Sequence, residues 1–133
     1  MGYINSFLNF IVAVAMVGAV AFFIANPKAP KAAPPDDQFL AEIQKPGTVL
    51  VKFGAHWCPP CRMIEGELDH LSASMAGQVS IVKVDIDKSR SLAAHYGISS
   101  IPLLILFRDG QQVGRMNGYH NRDELKAWIA RTR

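Results

Sequence analysis

Two cysteines, Cys58 and Cys61, are the residues of this chain best suited to do chemistry. They are the only cysteines among its 133 residues, and Pro59 and Pro60 separate them. Two thiols at this spacing can cycle between a dithiol and a disulfide, and the thiolate is the form that attacks another disulfide. The spacing therefore predicts thiol–disulfide exchange.

The segments on either side place the pair where a strand leads into a helix. Residues 48–53 form a β-branched and aromatic run typical of a buried strand, and apolar residues recur at helical spacing over about 59–75. Free amides and the dipole at a helix N-terminus favour an anion, which lowers the pKa of a thiol placed there. This position predicts reactive cysteines.

Two other roles for the cysteines fit less well. A structural disulfide across a two-residue loop would remove almost no chain entropy. A zinc site would need more ligands, but the four histidines are scattered without paired metal spacing, and only His56 lies near the thiols. We therefore predict no metal and no cofactor. Transient copper binding by Cys58, Cys61 and His56 is kept as an alternative.

The remaining periodicity predicts a small α/β domain with three layers, α/β/α, around a mixed sheet. Its predicted elements beyond the cysteine segment are strands over 78–84, 102–107 and 112–117 and helices over 37–44, 88–95 and from about 121. Asp85 and Asp87 are interpreted as solvated carboxylates at a strand end. Met63 is expected to pack into the core under the helix that follows the cysteines.

The N-terminal segment, residues 1–25, is predicted to be a transmembrane anchor. Phe7–Ala25 contains no charged residue, and a helix of that length would span roughly the ~30 Å hydrocarbon core of a bilayer. A cleaved signal peptide is the competing interpretation, but Met1–Ser6 contains no Lys or Arg. Residues 26–36 follow as a proline-rich, semi-extended spacer, and residues 37–133 as the globular domain.

The charge of the domain excludes one class of partner. The chain has a net charge of +3, but two of its 14 basic residues, Lys28 and Lys31, lie in the spacer, so the domain itself is nearly neutral. No basic cluster with interleaved aromatic residues is present in the sequence. We therefore predict that the protein does not bind nucleic acid.

Five segments of the domain resemble thioredoxin in order and spacing. They are residues 49–64, which include Trp57-Cys58-Pro59-Pro60-Cys61, and then Val84–Asp87, Tyr96–Ile98, Ile101–Pro102 and Phe107–Gly110. The resemblance covers about residues 40–131 and implies the thioredoxin fold. The family's first strand would fall in the proline spacer. We therefore expect a four-stranded sheet with the strand at 79–84 on its edge.

The resemblance also implies roles for individual residues. Cys58 matches the exposed attacking thiol and Cys61 the more buried resolving thiol of the family. Trp57 matches the aromatic residue that shields the pair. Ile101–Pro102 matches the family's cis-proline, beside which an extended substrate segment pairs with backbone, and Gly118 matches a glycine that borders the same groove.

The sequence departs from the family pattern at several positions. Pro60 is ordinary for the family, but Pro59 replaces a glycine and removes an amide close to Cys58. Lys52 replaces a buried aspartate, and we predict that it tunes Cys61; alternatively, its ammonium reaches solvent and has no redox role. Gly54 replaces a tryptophan, which predicts a more open site, and Gly66 replaces a helix-kinking proline.

The resulting prediction is a membrane-tethered thioredoxin-like reductase of protein disulfides. Its partners would be disulfide-containing proteins bound as extended segments and an upstream electron donor. A disulfide oxidase or isomerase, or a non-catalytic adaptor or copper chaperone, is the alternative. Membrane-anchored members of the family usually present the domain outside the cytoplasm, which we expect here, although Lys28 and Lys31 favour the opposite topology.

Overall fold

The computed structural model describes residues 35–132. The predicted anchor, residues 1–25, and nearly all of the predicted spacer, residues 26–36, lie outside the described residues. Within residues 35–132, no helix combines the length and the apolar character needed to cross a membrane.

Four helices and four strands follow one another along residues 35–132. They are α1 (Asp37–Ile43), β1 (Thr48–Gly54), α2 (Pro59–Ser74), β2 (Val79–Asp85), α3 (Arg90–His95), β3 (Leu103–Arg108), β4 (Gln111–Asn117) and α4 (Arg122–Arg131). Side chains cap the N-termini of α1 and α4, where Asp36 accepts from the amide of Phe39 and Asn121 forms a capping box with Glu124. The predicted elements are present, with ends shifted by one or two residues.

The strands form one mixed sheet in the order β2-β1-β3-β4. β1 is parallel to β2 and antiparallel to β3, and β3 is antiparallel to β4. This confirms the predicted mixed four-stranded sheet, in which β2 is an edge strand among residues 35–132. The family's first strand would fall in the predicted spacer, nearly all of which lies outside the residues that the structure describes.

Alternation along β1 divides the core into two layers. Val49, Val51 and Phe53 pack with α1 and α3, whereas Leu50 packs with apolar residues of α2 and α4. Because successive strand side chains point to opposite faces, Lys52 belongs to the α2 face together with Leu50. A lysine is thus placed under the helix that carries the cysteines.

The β3–β4 hairpin brings two distant segments to one end of the sheet. β3 begins directly after Pro102, and β4 ends directly before Gly118. The amide of Gly118 donates to the carbonyl of Pro102 at 2.8 Å. The hairpin therefore positions both segments beside the N-terminus of α2.

The predicted burial of Met63 is wrong, because Met63 is 61% exposed. The helix turns Ile64, Leu68 and Leu71 toward the sheet, and all three are fully buried. Met63 precedes Ile64 by one position and so lies about 100° around the helix from it. The side chain faces solvent close to the cysteines.

Replacing Gly66 with alanine is expected to raise the free energy of unfolding by about 0.5–1 kcal/mol. Gly66 lies inside α2, and a Cβ there would meet no atom within 4 Å. Urea denaturation measures the change. Gly77→Ala is the matched control, since its Cβ would also be unobstructed but its φ of +77° is strained for alanine; this variant is expected to lose stability. A lower stability for Gly66→Ala would contradict the argument.

Candidate active site

Cys58 and Cys61 lie at the N-terminus of α2 and form a disulfide, with their Cα atoms 5.2 Å apart. Cys58 is the N-cap residue of the helix, and Cys61 lies in its first turn. The strand β1 ends at Gly54, and a short turn leads into the helix. The sequence prediction of a cysteine pair between a strand and a helix N-terminus is confirmed.

The two prolines limit the amides that can reach the sulfur of Cys58. Pro59 and Pro60 occupy the first two helical positions and carry no N–H. The amide of Cys61 is the first available, and it donates to Cys58 Sγ at 3.3 Å. The next amide, that of Arg62, donates to the carbonyl of Cys58 at 3.2 Å. One backbone amide thus supports the sulfur of Cys58.

Both cysteines are buried, although the family resemblance predicts an exposed Cys58. Cys58 is 5% exposed and Cys61 is 1% exposed. They form a small apolar cluster with Ala55, against which Ile86 and Ile101 pack. The order of exposure agrees with the prediction, but in the disulfide form the surrounding side chains cover Cys58 as well.

Trp57 presents a large apolar surface beside the disulfide, since 59% of it is exposed. Its indole N–H donates to a carboxylate oxygen of Asp87 at 2.8 Å. Asp85 in turn accepts from the amide of Asp87 at 2.9 Å. Asp87 is exposed just beyond the end of β2, as expected for a solvated carboxylate, and it additionally accepts the indole N–H of Trp57. The sequence around Asp87 does not indicate this contact, because Trp57 lies 30 positions away.

Ile101, Pro102 and Gly118 complete the surface around the cysteines. The Ile101–Pro102 peptide bond is cis, as the resemblance predicts. Pro102 is fully buried, and Ile101 packs against the cysteine cluster. Gly118 has a φ of +88°, which disfavours residues with a side chain. The structure therefore brings all the predicted groove residues to one end of the sheet.

Lys52 is buried beneath the active-site helix and does not extend to solvent. Its side chain is 5% exposed, and its Nζ lies 2.6 Å from Oε1 of Glu65, whose side chain is 43% exposed. Lys52 is the one charged residue that is buried within residues 35–132. The alternative that Lys52 extends to solvent is wrong, because its side chain is buried, and Glu65 compensates its charge there.

Gly54 lets Lys52 and Cys61 approach each other. A Cβ on Gly54 would lie 3.2 Å from Cys61 Sγ and 3.2 Å from Lys52 Nζ. The two atoms are therefore no further apart than twice that distance. Gly54 also lines a cavity, so the prediction of a more open site on this side agrees with the geometry.

A cavity of about 260 Å³ opens on this side of the site. Its lining combines both signs of charge: Lys52, Gly54, Ala55, His56, Arg62, Glu65, Lys83, Val84 and Asp85. A cavity of this volume and polarity has room for several water molecules. In residues 35–132, no three His, Cys, Asp or Glu side chains converge as metal ligands would.

Replacing Pro59 with glycine is expected to move the midpoint of Cys58 alkylation to lower pH, because a further amide would favour the thiolate. Glycine would add an amide at the first helical position, where it could donate to the thiolate. The measurement is the pH dependence of Cys58 alkylation in a Cys61→Ser background. Pro46→Gly, a proline removed before β1, serves as control. Identical alkylation midpoints with and without Pro59 would contradict the amide argument.

Comparison with known proteins agrees with this geometry. The thioredoxin family model matches residues 32–131. The curated thioredoxins of Staphylococcus aureus strains Mu50 and MW2 are each 41% identical to this chain over 90 residues, which cover 68% of this chain and 86% of each relative. A solved structure described as "Structure of a malarial protein" aligns with a TM-score of 0.62 and 29% identity, covering 65% of this chain and 97% of that one.

The family match, the four-stranded sheet and the disulfide between Cys58 and Cys61 all lead to one assignment. The chain belongs to the thioredoxin family and is a thioredoxin-like thiol–disulfide oxidoreductase.

Proposed function

We propose that the protein reduces disulfides in other proteins, with Cys58 as the attacking thiol and Cys61 as the resolving thiol. The position of Cys58 carries this proposal. It is the N-cap of α2, its sulfur accepts the amide of Cys61, and it is the less buried of the two cysteines. A thiolate at this position is stabilised by the helix N-terminus and lies closer to an incoming disulfide.

The reaction consists of two exchanges. The Cys58 thiolate attacks one sulfur of a substrate disulfide, which forms a mixed disulfide and releases one substrate thiolate. The Cys61 thiolate then attacks Cys58, which forms the intramolecular disulfide and releases the second substrate thiolate. Solvent protonates both released thiolates. The substrate gains two electrons, and an upstream donor returns the protein to the dithiol.

The substrate would bind as an extended segment across Trp57, Ile101, Pro102 and Gly118. Trp57 offers exposed apolar surface, and Ile101 is partly exposed beside the disulfide. An extended peptide can pair with the backbone at Ile101, where the following proline lacks an N–H. Pro59 and Pro60 hold the loop between the cysteines in its helical conformation.

Lys52 would tune the reactivity of Cys61. Its ammonium lies near Cys61 Sγ on the open side of Gly54, and a nearby positive charge favours the thiolate. The test is the pH dependence of Cys61 alkylation in a Cys58→Ser background, with Lys52 intact and with Lys52→Ala. The midpoint is expected to rise when the lysine is removed. Superimposable curves would exclude this role.

Two measurements test the proposed function. Reduction of insulin disulfides by the full chain is expected to disappear in Cys58→Ser. The reduction potential of the Cys58–Cys61 couple separates a reductase from an oxidase, since about −270 mV is typical of the former and about −120 mV of the latter. A potential near the second value would overturn the reductase assignment. Activity that survives Cys58→Ser would overturn the catalytic one.

The N-terminal residues would confine this activity to a membrane surface. We infer that residues 1–25 anchor the chain, that residues 26–36 form a spacer, and that the domain over 37–133 lies outside the cytoplasm. The uncharged run Phe7–Ala25 supports the anchor. Accessibility of single engineered cysteines in a Cys58→Ser/Cys61→Ser background, measured in intact cells, tests the topology. Labelling of the domain only after the membrane is permeabilised would place it in the cytoplasm.

A further inference from the structure

We propose that Glu65 accepts the proton of the Cys61 thiol during the second exchange, and that Lys52 is the positioning residue that holds the Glu65 carboxylate for this task. The inference rests on the proposed function, because it assigns the proton of the resolving step in that reaction. Glu65 was not among the predicted site residues, because in the sequence it is an ordinary polar residue of a helix.

Glu65 shares a face of α2 with Cys61. The two residues are four positions apart, so their side chains are neighbours on the helix surface. Glu65 bends toward the sheet and accepts from Lys52 Nζ at 2.6 Å. That ammonium and Cys61 Sγ both lie 3.2 Å from the empty Cβ position of Gly54. The carboxylate is thereby held on the side of α2 where the thiol must lose its proton.

The cavity beside Gly54 gives the proton a route. Both Lys52 and Glu65 line it, and Glu65 is partly exposed, so the carboxylate connects the buried site with solvent. Proton transfer from the thiol to the carboxylate requires a direct contact or one intervening water. The cavity is polar and large enough to hold such a water.

The other charged groups around the cavity are less suitable as acceptors of the Cys61 proton. His56 and Arg62 are exposed, and Lys83 binds Asp69 at 2.9 Å. Asp85 is the competing carboxylate, but it accepts the amide of Asp87 at the end of β2. Glu65 differs from Asp85 in its contact with the Lys52 ammonium, which lies with Cys61 Sγ beside Gly54. The geometry therefore favours Glu65.

The step is balanced in protons and electrons. The Cys61 S–H bond breaks, and its proton passes to Glu65, directly or through a cavity water. The Cys61 sulfur then bonds to the Cys58 sulfur, and the bond between Cys58 and the substrate breaks, with its electron pair leaving on the substrate sulfur. Glu65 releases its proton to solvent, and the substrate thiolate takes one up.

The experiment follows both exchanges in one reaction. The reduced full chain is mixed with one equivalent of dithiobis(nitrobenzoate). Attack by Cys58 releases the first coloured thiolate, and resolution by Cys61 releases the second. In Glu65→Gln, the first phase is expected to be unchanged, and the second is expected to slow by about 10²-fold near neutral pH. Its rate should then rise in proportion to hydroxide concentration and approach the wild-type rate at high pH.

Two controls separate proton transfer from damage to the fold. Glu42→Gln removes the carboxylate of another lysine pair, Glu42–Lys45, with the same separation of 2.6 Å, and is expected to leave both phases unchanged. Lys52→Met/Glu65→Gln removes the buried ammonium together with the carboxylate. If Glu65→Gln folds poorly, this double variant is compared with Lys52→Met alone, and its second phase is expected to be the slower of the two.

Three results would overturn the proposal. They are an unchanged second phase in Glu65→Gln, a slowed second phase whose pH profile keeps the wild-type shape, and an equal loss that occurs in Asp85→Asn instead. The proposed function fails in a different way, because a chain that is not a reductase would show an oxidising potential or no insulin reduction in the wild type, whatever the Glu65 variants do.

Discussion

Cys61→Ser is expected to stop catalysis at the mixed disulfide and to lower the steady-state rate of disulfide reduction by at least about 10³-fold. Cys58 would still attack, because its N-cap position and the amide at position 61 are retained. A serine hydroxyl at position 61 cannot displace the substrate from Cys58. The measurement is insulin reduction together with mass spectrometry, which should detect a covalent adduct on Cys58.

The complementary variant, Cys58→Ser, tests which of the two cysteines attacks the substrate. Cys58→Ser is expected to lose the same activity without accumulating an adduct, because Cys61 is 1% exposed and cannot reach a folded substrate. Cys58→Ser/Cys61→Ser controls for non-covalent capture. An adduct that forms on Cys61 in Cys58→Ser as fast as on Cys58 in Cys61→Ser would contradict the proposed roles.

The second large effect concerns the ion pair between Lys52 and Glu65. Removing Glu65 is expected to cost more stability than removing Lys52. Glu65→Ala is expected to lower the free energy of unfolding by about 2–4 kcal/mol, because it leaves the buried ammonium of Lys52 uncompensated. Lys52→Met is expected to change it by no more than about 1 kcal/mol, because the half-exposed Glu65 can be hydrated and the methionine fits an apolar environment. Urea denaturation of the oxidised proteins at neutral pH measures both changes.

The double variant removes both charges of the pair. Lys52→Met/Glu65→Ala is expected to recover most of the stability lost in Glu65→Ala, since no buried charge remains. Glu42→Ala, which breaks the exposed Lys45–Glu42 pair, is the control and should cost less than about 1 kcal/mol. Equal losses in Glu65→Ala and Lys52→Met, without recovery in the double variant, would show that the pair acts as a simple reciprocal contact.

Much of the fold could be predicted because its signals are local. The apolar run at 48–53, the helical spacing after Cys61 and the turn at Asp109-Gly110 each depend on neighbouring residues, and the structure contains all three elements. The cysteine pair could be predicted for the same reason. The groove residues Ile101, Pro102 and Gly118 came from the family resemblance, which supplies the tertiary arrangement that local patterns lack.

The unpredicted features depend on which helix face meets the sheet. The rotation of α2 buries Ile64 and exposes Met63, although both are apolar and adjacent. The same rotation turns Glu65 toward Lys52, a contact across 13 positions. Asp87 reaches Trp57 only because β2 lies beside β1. Residue types at these positions allow several packings, and the packing of the whole domain decides among them.

The edge position of β2 has a consequence for self-association. Within residues 35–132, β1 is the sole strand partner of β2, so the other side of β2 presents unpaired backbone groups. Such an edge can recruit the same edge of a second molecule, and charged side chains oppose that pairing. Lys83 is exposed in the middle of β2 and places a positive charge there. When many copies are crowded together, pairing of two such edges would remove water from Lys83 and from its partner Asp69, 2.9 Å away, and this cost would keep the domains separate and their cysteines accessible.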